Sequence, residues 1–488
     1  MKPFRLFLFF VLILLILTFI SWVIPPEGWH IFGMDIQFFK YTLVSQPEKP
    51  IFKTDTAHVF YLSVSDSTIS DSISMDYKQG RGSLKKVEKI IIAPKLSPVG
   101  IIEIEKDTVD FWPAVNTIIS NTGSSGRQVR IMYYGDSQIE NDRITSIFRQ
   151  EMQAKFGGSG RGLVPITEIY NTANNFIMSV SKNWYRTSVV GTKRQNLDAG
   201  LLCESYNIKK PKASSDTVET AHVKIKTIDP SKPGGYSLVR LFYKATGSAS
   251  IEVIKNGKSI YSQGLASNTI INELKLNFGD NPNLLELKFQ ATSELIIYGL
   301  SMEVHTGIIV DNIALRGKSL PEFVRLDTIK FNQMANFLKP SIIILHYGVN
   351  VIPNVTGNYG FYKNMLASDI QFLKQHLPGV PILLISASDM AHRIKGELTS
   401  YSNIPSVVKS QKEAAFENGC AFWNLYETMG GEGSMIKWVK KIPPLGNKDY
   451  VHFTPLGASK VGKLLSNRFI ESISETKTEE LLSDGDQF

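Results

Sequence analysis

Hydrophobic and polar positions divide this chain into stretches with different periods. Residues 6–24 (LFLFFVLILLILTFISWVI) hold no charge and are long enough to span a bilayer as a helix. Residues 27–107 mix short apolar runs, at 59–64 and 90–92, with Ser/Asp/Gly-rich segments, which predicts an extension with some strands. Residues 111–120 predict a short helix. Next comes an apolar strand at 129–133, a tight turn, and a helix over 142–156 with Ile144, Ile147, Phe148 and Met152 on one face. From about 166 to 305 the helical period disappears. Short alternating strands are predicted at 223–226, 237–243, 250–254, 274–278, 284–289 and 295–298, with Asn256-Gly257 as a hairpin turn. This spacing predicts a β-sandwich. After Gly307, helices at 323–338, 362–376, 405–418 and 455–472 alternate with apolar strands at 341–346, 381–386 and 421–425. That alternation predicts a parallel sheet covered on both faces.

One α/β domain is therefore expected to be split by a β insertion. The expected segments are an anchor (1–26), an extension of uncertain fold (27–107) and a first α/β part (108–165). The inserted sandwich (166–305), a second α/β part (306–475) and a flexible acidic, polar tail (476–488) follow. Residues 128–165 and 306–472 alone total about 205, a usual size for one domain.

Lys2 and Arg5 precede the apolar run, and Pro25-Pro26 follow it. The positive-inside bias places the N-terminus in the cytoplasm and the rest outside, on the periplasmic side of a bacterial inner membrane. A cleaved signal peptide is the competing reading. Its apolar part would be unusually long, and no small-x-small site follows. Both readings export the bulk of the protein.

Composition narrows the remaining classes. The 488 residues are 43% hydrophobic and 20% charged, as expected of a globular chain. A net charge of +8, with Lys and Arg scattered, argues against nucleic acid as a partner. Cys203 and Cys420 stand alone, with no CxxC or Cys/His cluster, so no structural zinc is expected. Two buried thiols are expected, with a single disulfide as the alternative. The run Gly157-Gly158-Ser159-Gly160-Arg161-Gly162 lacks a GKS or GKT ending and follows a helix, so it is not read as a phosphate loop. No cofactor or metal is expected.

Two distant strings carry chemistry. Tyr134-Gly135-Asp136-Ser137-Gln138 places a Ser on a turn directly after a strand. Asp449-Tyr450-Val451-His452 places an acid and an imidazole three apart on a loop before the last helix. A Ser hydroxyl reacts only when a base takes its proton, and a His needs a group to orient it. His346, inside an apolar strand, is read as a core histidine with its hydrogen bonds satisfied. Asp136 and Gln138 are read as supports of the turn.

Four blocks in this order resemble the SGNH, or GDSL-type, hydrolase family. Gly135-Asp136-Ser137 resembles the nucleophile block, with Gln138 where the family has Leu. Asp311-Asn312-Ile313-Ala314-Leu315-Arg316-Gly317 resembles the glycine block. Gly348-Val349-Asn350 resembles the Gly-x-Asn block, without the Asp that often follows. Asp449-x-x-His452 resembles the final block. The resemblance implies a three-layer, flavodoxin-like α/β fold. It implies Ser137 as nucleophile, His452 as base and Asp449 as its partner. An oxyanion hole would be formed by the N–H groups of Ser137 and Gly317 and the Asn350 amide. The β-rich insertion is also similar in placement to that of bacterial peptidoglycan O-acetylesterases, where it resembles a carbohydrate-binding module.

The leading expectation is an anchored serine esterase that removes O-acetyl groups from peptidoglycan or another cell-envelope or extracellular polysaccharide. The alternatives are an O-acetyltransferase loaded by a membrane acyltransferase partner, and a non-catalytic glycan-binding envelope protein.

Overall fold

The computed structural model describes residues 29–31, 34–36, 100–105, 111–124, 126–167, 176–208, 218–229 and 234–485, together with Leu12. The apolar segment 6–24, Leu12 apart, and the strands expected at 59–64 and 90–92 lie outside the described residues. Among the described residues, no helix is long and apolar enough to cross a membrane. In the N-terminal unit, β1 (Trp29–Ile31) and β2 (Met34–Ile36) form an antiparallel hairpin.

The second unit begins with β3 (Ile102–Glu103), α1 (Phe111–Ser124), β4 (Gln128–Gly135) and α2 (Thr145–Phe156). Helix α2 starts later than the apolar spacing predicts. Asn141 and Asp142 adopt left-handed φ values of 59° and 60°, which a right-handed helix cannot contain.

The inserted layer then contributes β5 (Gly162–Val164), β6 (Phe176–Val180), β7 (Tyr185–Ser188) and β8 (Glu204–Asn207). It continues through β9 (Glu219–Thr227), β10 (Leu238–Ala245), β11 (Ala249–Lys255) and β12 (Lys258–Gly264). It ends with β13 (Asn272–Asn277), β14 (Leu284–Ala291) and β15 (Leu295–Glu303). One antiparallel sheet runs β13-β10-β15-β8-β7, with β5 also on β15, and a second runs β12-β11-β14-β9-β6. Inward-facing Val223, Ile225, Leu241, Leu285, Leu287 and Ile297 fill the space between them. Strand β5, upstream of residue 166, thus joins the sandwich.

The chain returns through β16 (Gly307–Ala314), α3 (Thr328–Leu338), β17 (Ile342–His346), α4 (Gly360–His376) and β18 (Ile382–Ile385). A hairpin of β19 (Ala391–Ile394) and β20 (Glu397–Ser400) precedes α5 (Ile404–Glu417), β21 (Ala421–Trp423), α6 (Leu425–Met429), α7 (Ser434–Lys440) and α8 (Pro455–Gly485). Local chemistry sets several boundaries. The Asp327 carboxylate accepts from the N–H groups of Ile329 and Lys330 and caps α3. Asn424 caps α6, so the strand expected to reach 425 stops at Trp423. Helix α8 runs past the expected end at 472 and through most of the expected flexible tail, because neither Pro nor Gly interrupts residues 463–484.

The main sheet has the order β16-β4-β17-β18-β21-β3. Its pairs are parallel except β3 on β21, an antiparallel edge that the apolar pattern does not predict. Alternate strand residues feed two layers. Ile131, Tyr133, Ile342 and Ile344 pack with Val115 of α1, Phe148 of α2 and Phe469 of α8. Met132, Tyr134, Ile343 and Leu345 pack with Phe331 of α3, Leu366 of α4 and Val407 of α5. Cys203 and Cys420 are free and buried.

Buried charges join the main sheet to the sandwich. Arg130 of β4 pairs with Asp311 of β16 at 2.6 Å and with Glu303 of β15. Arg240 of β10 reaches Glu303 from the other side at 3.2 Å. The Leu163 N–H donates to Asp311 at 2.7 Å.

Candidate active site

The site lies at the C-terminal ends of three neighbouring strands. Gly135, the last residue of β4, is in register with Ala314 of β16 and His346 of β17. A side chain at 135 would begin 2.8 Å from Ile139 and 2.9 Å from the His346 carbonyl, so the close approach requires glycine. The Asp136 N–H donates to the His346 carbonyl, and the Gln138 N–H donates to Asp136 Oδ1 at 2.9 Å. These bonds turn the chain and present Ser137, which is 7% exposed.

The segment after Ser137 is held from below. Arg143 donates to the Ser137 carbonyl and, at 3.0 Å, to that of Glu140. Asn312 of β16 donates to the Ile139 carbonyl at 2.8 Å and to Asp142 at 3.1 Å. Asp142 pairs with Arg149 at 2.5 and 3.0 Å.

The second string forms a turn with Tyr450 at φ 58°. Asp449 Oδ1 accepts the N–H groups of Val451 and His452, each at 3.0 Å. Asp449 Oδ2 lies 2.7 Å from His452 Nδ1, and His452 Nε2 lies 2.8 Å from Ser137 Oγ. Burial works against the charge on Asp449. The two N–H groups and the imidazole outweigh it and hold the carboxyl below its ordinary value. A carboxylate acceptor at Nδ1 favours the tautomer protonated there, which leaves the Nε2 lone pair for the Ser137 hydroxyl.

Gly317 sits on the turn after β16 at φ 76°, and no other group lies within 4 Å of where its side chain would start. The Leu315 N–H donates to the Gly135 carbonyl at 2.7 Å, tying this turn to the nucleophile strand. Asn350 lies on the turn after β17, and its amide donates to the Lys318 carbonyl at 2.9 Å, with a second N–H left on the same nitrogen. The structure thus joins Ser137, His452 and Asp449 in one hydrogen-bonded chain. It places Gly317 and Asn350 on the turns after the strands either side of β4.

His346 is buried with its Nδ1 3.0 Å from the Tyr133 hydroxyl. Burial pushes its pKa down to about 3, so it stays neutral, as read for a core histidine. Burial raises Asp136 to about 7 against three opposing backbone N–H groups. Gln138 does more than support its own turn. Its amide nitrogen donates to the Val451 carbonyl at 2.8 Å, within the histidine loop, and lies 3.3 Å from Ser388 Oγ. The only sequence signal for this tie is the departure from Leu at that position. Nothing in the pattern signals Arg143.

No protein-family model matches the chain, and no curated protein sequence does. Among solved structures, the chain is similar to a peptidoglycan O-acetylesterase at 20% identity and a TM-score of 0.59, over 74% of this chain and 96% of that one. It is also similar to a GDSL-like lipase from Parabacteroides merdae (18% identity, TM-score 0.26, 34% of this chain and 73% of that one). A family two carbohydrate esterase from Cellvibrio japonicus matches at 10% identity and a TM-score of 0.25, over 61% of this chain and 99% of that one. The chain shares its fold with that peptidoglycan O-acetylesterase.

Proposed function

We propose that this chain is a serine esterase that removes O-acetyl groups from a cell-envelope or extracellular polysaccharide. The observation that carries the reading is the Ser137–His452–Asp449 chain, with links of 2.8 and 2.7 Å. His452 Nε2 takes the Ser137 proton as Oγ attacks the acetyl carbonyl. The oxyanion forms beside the N–H groups of Ser137 and Gly317 and the Asn350 amide. Collapse breaks the sugar C–O–acyl bond on the carbonyl side, and His452 protonates the departing sugar oxygen. Water, deprotonated by His452, then attacks acetyl-Ser137 and releases acetate. Asp449 holds the imidazole and stabilises its cation throughout.

The fold shared with a peptidoglycan O-acetylesterase supports an acetylated glycan as substrate. Acetate release from p-nitrophenyl acetate and from O-acetylated glycans, lost in Ser137→Ala, tests the reading. Acetyl transfer to a sugar hydroxyl with no net hydrolysis would replace it with a transferase. Glycan affinity without turnover would reject both.

The sequence also supports placement outside the cytoplasm behind an N-terminal membrane anchor. A reporter fused after Lys40 is expected to be active only outside the cytoplasm, and cytoplasmic activity rejects this placement.

A further inference from the structure

Charge is gathered on one stretch near the C-terminus. Between Lys437 and Lys463 the chain carries six lysines and one acid, Asp449, which His452 already engages. Lys437 and Lys440 in the last turn of α7, and Lys441 just beyond it, line one open recess with Met429 and Trp438. Lys460 of α8 comes over the same Trp438 ring, its Nζ 5.6 Å from the ring centre. All four of these lysines are exposed, and none forms an ion pair among the described residues. The acids nearest in sequence before them, Glu427 and Glu432, pair with none of them. Like charges grouped this way repel one another, so stability of the fold does not account for the grouping.

A loop projects from this basic field. The Leu445 and Gly446 N–H groups both donate to the Trp438 carbonyl, at 2.9 and 3.2 Å, which closes residues 439–444 into a fixed protrusion. Ile442 on this loop is 94% exposed, the most exposed large apolar side chain among the described residues. The Thr454 hydroxyl donates to the Pro444 carbonyl at 2.7 Å and sets the start of α8 against the loop, where Leu456 is 47% exposed. An isoleucine held out in water forgoes the gain of burial unless an apolar phase receives it. A soluble polyanion would pair the lysines and leave Ile442 and Leu456 in water. A bilayer boundary receives both kinds of group, with anionic headgroups for the lysines and acyl chains below for the apolar side chains. Residues 6–24 are expected to hold the chain at a bilayer already, which gives such a contact a high local concentration.

We infer that the loop after α7, with Ile442 projecting and lysines around it, docks on a bilayer surface that carries anionic headgroups. This is separate from the esterase reading and rests in part on the anchored placement.

The test uses the full chain with Ile442→Cys, labelled with an environment-sensitive fluorophore. Cys203 and Cys420 are buried, so the unsubstituted chain is the labelling control. Vesicles are phosphatidylcholine alone, or with about a third of phosphatidylglycerol. Emission at 442 is expected to shift to the blue and to rise about threefold or more on the anionic vesicles only. High salt, and the combined Lys437→Gln, Lys440→Gln and Lys441→Gln variant, are expected to remove most of the rise. A label at Lys258→Cys, at the β11–β12 turn, is expected to stay unshifted. No change at 442 on anionic vesicles, an equal rise on neutral ones, or an equal shift at 258 overturns the docking. So does the same shift produced by soluble polygalacturonate without vesicles, which would make the patch a polymer site. Failure of the chain to co-float with neutral vesicles rejects the anchor alone, and the label's response to anionic vesicles still decides the docking.

Discussion

The two ends of the Ser137–His452 hydrogen bond are held in different ways. On the serine side, Asp136, Gln138 and Ile139 are buried, and bonds from Arg143, Asn312 and the neighbouring strands fix the backbone. On the histidine side, Asp449 and His452 side chains are 47% and 30% exposed. That loop is ordered by its own turn, by Asn447, which donates to the His452 and Phe453 carbonyls at 2.8 and 3.0 Å, and by the Ala391 N–H, which donates to the Tyr450 carbonyl at 3.0 Å. Gln138 is the direct tie from the nucleophile to that turn's backbone. One half takes its order from the core, the other mainly from its own turn, with two bonds from outside it, Gln138 to Val451 and Ala391 to Tyr450. Substitutions on the exposed half should therefore cost activity with little stability.

Ser137→Ala should break the comparison at its centre. A loss of kcat on the order of 10⁴–10⁶ is expected with p-nitrophenyl acetate, and residual activity near wild type would remove Ser137 from the chemistry. Asp449→Asn should lower kcat by about 10⁴ through the wrong imidazole tautomer, with an unchanged melting temperature because the site is half exposed. A large drop in melting temperature would show that the histidine loop is not independent of the core. Asn350→Ala should cost about 10²–10³ in kcat and little in KM, as for one oxyanion donor. Gln138→Leu should cost about 10- to 100-fold in kcat by loosening the histidine loop. Wild-type kinetics there would make the tie incidental.

The smallest effect concerns pH. The folded Asp136 carboxyl keeps its proton up to about 7, while the ordinary value is 3.8. Between these values the folded state binds more protons than the unfolded chain, so this group's contribution to stability falls as pH rises. Asp136→Asn should gain stability relative to wild type as pH rises from 4 to 7, then level off. Melting curves across that range read the difference, and a constant offset would reject the shift.

The parts of this arrangement that were legible in the sequence are local. Strands β17 and β18 are short apolar runs between helical stretches, and Asp449 and His452 share one turn. Strand β16 was harder to read, because only residues 304–306 separate it from β15 and no turn signal marks the change of sheet. The late start of α2 depends on two left-handed residues, Asn141 and Asp142, which polar composition alone does not reveal. Gln138 and Arg143 act on groups reached through the fold. The Val451 carbonyl lies 313 residues from Gln138, beyond any periodicity.

The buried Arg130 has one carboxylate from each layer, Asp311 and Glu303. A shortened clone without the sandwich would strand that cation with half its neutralisation, and removing one partner of a buried pair typically costs about 3–5 kcal/mol. The inserted layer is therefore not a detachable cassette. Recombination or engineering that transplants the nucleophile strand must carry residues 128–314 as one block.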